Sequence, residues 1–393
     1  STLDDVFQKF HSNSPDLKSI ASRLEAAKQV YKISSAIRLP SMNLGLTGSS
    51  RKQNLTAFGL SEDFFGGGQN GDQNSDGSDV TSFSSRNYGL NLSMQWEIDL
   101  WRKVFNQTKA SEKDYDAVKY DLSYLTFSMQ VQVAKLYFSA VESYEQLKLA
   151  EETLESVSEL ADMVSARYEK GLRSSLDYRL AETSVATSIV SIENSKNVLK
   201  SLNRQIEILI GDYPSGSFIK KPSLPSVLPS IPIGMPASVI QRRPDIKSLI
   251  NKMESAGHRV AQSKRDLLPG VTINGTVGTS TQEIEKIFDE DYGVWNLGMS
   301  VTAPIFNGGR LRSIKKIQEA NYENSKQDLI RGILKAFSEI EQFLDQNKSL
   351  DIQIEALNAA VKQSKDAYEL SKERYDKGVT SLESVLNSQR QYN

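Results

Sequence analysis

The stretch VWNLGMSVTAPIFNGGRL, residues 294–311, decides how the rest of the chain is read. Trp295, Leu297, Met299 and Val301 put an apolar residue at every second position, and Asn296, Gly298, Ser300 and Thr302 between them are small or polar. A period of two is that of a strand, so the segment carries one greasy face and one wet face. The pattern stops at Pro304, turns through Gly308 and Gly309, and enters a long charged segment of helical character. Three other segments alternate in the same way. Met42, Leu44 and Leu46 oppose Asn43, Gly45 and Thr47; Leu90, Leu92, Met94 and Trp96 oppose Gly89, Asn91, Ser93 and Gln95; Val271, Ile273 and Val277 oppose Thr272, Asn274 and Thr276.

Two half-buried hairpins capping a helical body would give this alternation. So would a transmembrane β-barrel, with lipid outside and water inside. The polar faces are uncharged through the strand centres, as suits a wetted wall, and Tyr88, Trp96, Tyr292 and Trp295 stand near strand ends, where an interfacial girdle falls. On the barrel reading Leu44, Leu92, Met94, Val271, Ile273, Leu297, Met299 and Val301 face lipid. Four strands cannot close a barrel, and open edges are not viable in hydrocarbon. Closure takes at least about eight strands, so two chains give a filled barrel and three give a twelve-stranded one with room for water. The barrel must then be shared between subunits.

The chain around these strands is hydrophilic. Of 393 residues 38% are hydrophobic and 24% charged, with a formal net charge of −2. Both signs are interspersed, which leaves no electrostatic footprint for nucleic acid. The absence of Cys excludes disulfides, thiolate metal sites and a thiol nucleophile. No run of about 18 apolar residues offers a transmembrane helix. Ser1 opens directly into structured-looking sequence, as expected once a targeting peptide is removed; a lipid-bearing Cys ahead of it would not be visible.

The sequence is written twice. SPDLKSIASRLEAAK at 14–28 recurs as RPDIKSLINKMESAG at 243–257, a shift of 229 from Pro15 to Pro244, and Leu39-Pro40 recurs as Leu268-Pro269. RYEKG at 167–171 recurs as RYDKG at 374–378, a shift of 207. One duplication with a longer insert in the first half, at 51–86, explains both offsets. The expected organisation is a first repeat over 1–210 with a β-hairpin at 41–96 and a turn near 171. A Pro-rich linker follows over 211–242, then a second repeat over 243–393 with a hairpin at 270–303 and a turn near 378. Seven of the eleven prolines fall between Pro214 and Pro244, which marks an extended connector. The second repeat ends early, so its last helix is expected to be truncated.

From about Ile98 to Tyr168 there is neither proline nor glycine. At about 1.5 Å per residue, some 70 residues make a rod of roughly 105 Å, longer than a globular domain needs. From Ala336 seam positions step by four and three through Ile340, Phe343, Asn347, Leu350, Ile354, Leu357, Val361, Ser364, Tyr368, Ser371 and Tyr375, a heptad long enough for coiled-coil packing. Ser, Ala and Asn on the seam thin the stripe, so each helix is expected to share its burial between two neighbours. Both rods follow directly on a barrel-type strand.

The rods end in RYEKGLRSSLD and RYDKGVTSLE. Gly171 and Gly378 suit the left-handed residue past a helix end. Thr380 to Glu383 reads as a capping box for the next helix, and Ser174 to Asp177 as its weaker form. Around a symmetry axis each of Asp177 and Glu383 would also become a ring of like charges, which narrows a pore and binds cations.

With LPSIPIGMPASVIQRRPDIKS (228–248), APIFNGGRLRS (303–313), WEIDLWRK (96–103) and the twin RY-x-KG turns, the whole chain resembles the outer-membrane efflux channel family, the TolC-like proteins, of the type serving resistance-nodulation-division pumps. The resemblance implies an α+β membrane protein in the Gram-negative outer membrane: a homotrimer with a twelve-stranded transmembrane β-barrel continued by a long antiparallel α-helical barrel in the periplasm. It implies a periplasmic adaptor protein and an inner-membrane transporter as partners, the adaptor docking at the turns around Gly171, Ser174, Gly378 and Thr380. It also implies a closed state held by polar contacts after the second turn, a region that here includes Tyr375, Glu383, Asn387 and Arg390. Asn387 stands where many members carry Asp, which leaves Glu383 and Asp177 as the stronger gate candidates.

No enzyme is visible, and no cofactor or metal is expected. His11 and His258 each stand alone on helical segments and read as surface histidines; no Ser/His/Asp order can be built on them. DQNSDG (72–77) begins like a calcium loop, but its twelfth position is Phe83 instead of Glu. FGGGQNG (65–71) lacks the Lys of a phosphate loop. The reading is a passive exit duct of a tripartite efflux pump, for drugs or other small toxic compounds. The alternatives are a soluble coiled-coil scaffold with β-hairpin caps and, within the family, a type I secretion channel. The cargo is not legible in the residues.

Overall fold

A computed structural model describes residues 2–54, 82–219, 224 and 238–393. In chain order the elements are α1 (Leu3–Asn13), α2 (Pro15–Ala36), β1 (Ser41–Asn54), β2 (Ser82–Ile98), α3 (Lys103–Glu169), α4 (Ser175–Ile210), α5 (Ser238–Arg242), α6 (Pro244–Arg265), β3 (Gly270–Thr279), β4 (Gly293–Thr302), α7 (Arg310–Asp376) and α8 (Leu382–Tyr392). Two compact units result. One holds Lys28–Tyr115 and Lys252–Lys326; the other holds Ser1–Ala27, Asp116–Asn251 and Gln327–Asn393.

The first unit contains the sheet. Its order is β1-β2-β3-β4 and every pairing is antiparallel. The strands reach into the insert expected over 51–86, because β1 runs to Asn54 and β2 starts at Ser82. Polar residues occupy both faces there, so no apolar period announced a strand. Residues 55–81, with the 65–71 and 72–77 motifs, lie outside the described residues. The rod after β2 begins at Lys103 and not near Ile98. Arg102 takes a positive φ of 60°, and the Asp99 carboxylate accepts from the amides of Val104 (3.0 Å) and Phe105 (2.7 Å). An anion bonded to two orphan amides at the positive end of the helix dipole fixes where α3 starts. Trp101 Nε1 donates to the Pro269 carbonyl at 2.7 Å, and Arg265 Nε returns a bond to the Trp101 carbonyl at 2.7 Å, so the two strand–helix junctions are stitched together. His258 is half-buried, not a surface residue, and its Nδ1 lies 3.1 Å from Asn106 Oδ1.

The second unit is helical. Val6 and Phe10 of α1 pack with Val133, Tyr137, Ala140 and Val141 of α3 and with Ile206 and Ile210 of α4. A second cluster joins Leu160, Ala161 and Val164 of α3 to Ala181 of α4, Tyr375 of α7, and Leu382, Val385 and Leu386 of α8. Within the expected linker, residues 211–219 lie outside any helix or strand, whereas Ser238–Arg242 forms α5, so helix resumes before residue 243; residues 220–223 and 225–237 lie outside the described residues. Asn203 and Glu207 on α4 hold the start of this connector. Asn203 accepts from the Ile219 amide at 3.0 Å. Glu207 is 2% exposed and accepts from the Ser215 hydroxyl and the amides of Gly216, Ser217 and Phe218. Burial alone would raise the Glu207 pKa; the four donors outweigh it and hold the carboxyl below its ordinary value.

The expected seam on α7 behaves in two ways. Tyr375 is buried and Tyr368 half-buried, but Phe343, Leu350, Ile354, Leu357 and Val361 stand exposed within the chain. Their period is right, yet nothing among the described residues covers them.

Candidate functional site

Two features carry functional information, the sheet and the pair of helix–turn–helix tips. In an antiparallel pair, residues directly opposite share a face. The register places Leu44 opposite Leu92, Leu92 opposite Val277, and Val277 opposite Trp295. The next rows read Met42–Met94–Gly275–Leu297, then Trp96–Ile273–Met299, then Ile98–Val271–Val301. Four alternations from distant parts of the chain thus merge into one apolar face. The opposite face reads Asn43–Ser93–Thr276–Asn296 and Gln95–Asn274–Gly298. Leu44 is 71% exposed and Met299 70%, so nothing among the described residues covers the apolar face. A contiguous apolar surface of this kind marks a membrane or partner contact. Met94 and Ile273 are half-buried. Val271 departs from the expectation of a lipid contact: it is buried, flanked in register by Ile98 and Val301.

The apolar band also slopes. It covers Met42 to Leu46 on β1 and Trp295 to Val301 on β4. In register, the band centre slips toward the ends that lead into α3 and α7 by about one and a half side-chain rows across the sheet. With about 6.8 Å per row and about 4.8 Å per strand spacing, the slope is about 35°. Strands of membrane barrels tilt by roughly that angle, 35–45°. β1 and β4 are edges, each with an unpaired row of backbone groups among the described residues.

The tips follow the spacing seen in sequence. Gly171 and Gly378 have φ of 74° and 73°. Gly171 N–H donates to Tyr168 O (2.8 Å) and Leu172 N–H to Arg167 O (2.8 Å); Gly378 and Val379 make the same two bonds to Tyr375 O (3.0 Å) and Arg374 O (2.9 Å). This is the Schellman closure, which needs a residue without Cβ strain at the left-handed position. The cap of α4 is Ser174, whose hydroxyl accepts from the Asp177 amide at 3.2 Å. The cap of α8 is Ser381, accepting from the Ser384 amide, and not Thr380 as the box reading had it. The repeat shift of 207 explains the correction, since it maps Ser174 to Ser381. Asp177 is therefore the third residue of α4 and Glu383 the second of α8, so the two acids are not equivalent.

The gate candidates separate on exposure. Glu383, Asn387 and Arg390 are exposed on α8, and Asp177 is half-buried. Arg390 Nη2 donates to Asn387 Oδ1 one turn back. Tyr375, expected with them, is instead fully buried within the tip core. Its hydroxyl has no hydrogen-bond partner among the described residues. Sequence reasoning missed Arg173. Its guanidinium lies 4.2 Å from the Tyr375 ring centroid and donates to the Tyr375 carbonyl at 2.9 Å. Arg167 reaches Asp376 beside it at 3.4 Å.

The four-stranded sheet with its apolar face and the two 67-residue helices fit an outer-membrane efflux protein. The outer membrane efflux protein family profile matches residues 6–211 and 235–393, and the chain belongs to that family. Its place is the Gram-negative outer membrane, with the helical part in the periplasm. Among similar proteins, the pyoverdine export outer membrane protein OpmQ of Pseudomonas putida is 27% identical over 390 residues, covering 99% of this chain and 79% of that protein. The toluene efflux pump outer membrane protein TtgF of Pseudomonas putida is 27% identical, covering 97% and 75%. Of solved structures, a membrane protein from Pseudomonas aeruginosa superposes with a TM-score of 0.88 at 25% identity, covering 99% of this chain and 87% of that one. The Campylobacter jejuni CmeC outer membrane channel gives 0.86 at 23% identity, covering 99% and 80%.

Proposed function

We propose that three copies of this chain form a passive exit duct for small toxic compounds, with a shared twelve-stranded barrel and a helical periplasmic tunnel. The observation that carries the proposal is the register: four alternating strands bring their apolar residues to one face, and both edges lack a partner strand among the described residues. In hydrocarbon the only stable answer to two open edges is closure. The matching lengths of α2 and α6, 22 residues each, and of α3 and α7, 67 residues each, support one doubled unit. Proteins of this family act with an adaptor and an inner-membrane transporter, and we assign the turns at Gly171 and Gly378 to the adaptor. A resistance-nodulation-division transporter fits the RRPDI segment at 242–246. The duct performs no chemistry; its transport energy comes from the transporter.

Asp177 and Glu383, repeated around the axis, are the charges of the closed end, with Asn387 and Arg390 beside them. Planar-bilayer recording tests both levels of the proposal. The purified trimer should conduct, and Asp177→Asn with Glu383→Gln together should raise conductance. Conductance unchanged by the pair removes the gate assignment; a protein that stays monomeric in aqueous buffer removes the duct.

A further inference from the structure

We propose that Lys52 and Arg86 form a cationic clamp for the phosphate of a phosphorylated glycolipid headgroup in the outer leaflet. The inference rests on the barrel reading of the sheet and adds a binding site to it. Beyond the apolar band, the same face of β1 and β2 continues toward the hairpin tip in a fixed order. Leu46 pairs with Leu90, Gly48 with Tyr88, Ser50 with Arg86, and Lys52 with Ser84. The register from Ser41 to Asn54 runs without a bulge, so none of these residues changes face. Tyr88, which the sequence placed near a strand end, lies inside β2, its ring covering Gly48: a Cβ there would come within 3.3 Å of it.

The face therefore passes from aliphatic to aromatic to cationic within three rows. A bilayer has the same order from hydrocarbon through interface to headgroup. Lys52 and Arg86 are diagonal neighbours across the β1–β2 pair, roughly 7–8 Å apart at Cα, close enough for both side chains to reach one phosphate. Both are exposed, and neither forms an ion pair among the described residues. The guanidinium can take two phosphate oxygens at once while the ammonium adds a point charge. A solvated polar strand end would also tolerate two cations, but it would give no reason for them to share the lipid-side face behind an aromatic. Arg51 supplies an internal comparison. It lies between them in sequence, yet alternation turns it to the opposite face, the lumen side of the barrel.

The test measures binding of the intact trimer in detergent to a bisphosphorylated glycolipid and to its dephosphorylated form, with conductance recorded on the same preparations. Wild type should prefer the phosphorylated lipid. Lys52→Gln and Arg86→Gln should each weaken that binding about five-fold and the double variant about thirty-fold, the scale of a basic residue at an anionic membrane surface. Arg86→Lys should keep only part of the affinity, since an ammonium cannot take two oxygens at once, and Arg51→Gln should keep all of it. A conducting double variant that binds the phosphorylated lipid like wild type overturns the clamp alone. So does an Arg51→Gln loss equal to that of Lys52→Gln. A wild-type protein that neither trimerises nor conducts overturns the barrel reading and the clamp with it.

Discussion

Arg173, in the turn after α3, closes the end of a different helix. Its Nη2 donates to the Tyr375 carbonyl at the C-terminal end of α7, and its plane covers the Tyr375 ring. One side chain thus pairs a carbonyl at the negative end of a helix dipole and shields an aromatic, tying one tip to the other. Arg173→Ala should loosen the second tip by about 2 kcal/mol, the scale of a charged hydrogen bond plus a cation–π contact. Hydrogen exchange of the α8 amides reads this as roughly thirty-fold faster opening. Arg173→Lys should recover only part, since an ammonium cannot stack as the planar guanidinium does.

The buried Tyr375 hydroxyl has no partner among the described residues, so it costs stability where it is. Tyr375→Phe should leave the tip as stable or raise its stability by up to about 1 kcal/mol. Thermal unfolding measures this. A clear loss would show that the hydroxyl makes a bond in the assembled trimer.

Glu207 holds the connector through a carboxylate whose pKa is lowered on folding. Its stabilisation is therefore fully present above the unfolded value near 4.5 and fades as pH falls through the lower folded value. Limited proteolysis of residues 211–219 should be slow at pH 7 and rise only in strong acid. Glu207→Gln should make it faster at pH 7 as well, with a stability loss of about 2 kcal/mol.

Gly278 faces the polar side between β2 and β3, where a Cβ would sit 2.1 Å from the Leu90 carbonyl oxygen and 2.9 Å from the Asn91 Cα. Backbone cannot yield as a side chain can, so Gly278→Ala should force the strands apart. The expected outcome is a loss of about 2–3 kcal/mol and less heat-resistant trimer on unheated gels. Gly45→Ala, with nothing within 4 Å of its Cβ, is the tolerated counterpart.

Local rules made much of this molecule legible. The period of two fixed which residues share a face, and the register then joined Met42, Met94 and Leu297 in one row although they lie far apart in sequence. Gly171 and Gly378 were readable because only a left-handed residue ends a helix in that way. What failed was longer in range or lacked a pattern. The strand ends at 51–54 and 82–86 hold one apolar residue, Phe83, and so show no apolar period. The cap at Ser381 stands next to Thr380, which has the same hydroxyl chemistry, and only the bond from the Ser384 amide tells the two apart. The grip of Glu207 on 215–218 and of Arg173 on Tyr375 depends on segments meeting in space, and nothing in composition marks either.

On the barrel reading one face of the sheet meets lipid and the other water. Spin labels placed singly at Leu44, Leu92 and Met299, and at Asn43, Ser93 and Ser300, measure this in reconstituted liposomes through collision with oxygen and with a water-soluble nickel chelate. The first three should favour oxygen and the second three the chelate. Equal chelate access at Leu92 and Ser93, or at Met299 and Ser300, would contradict the account.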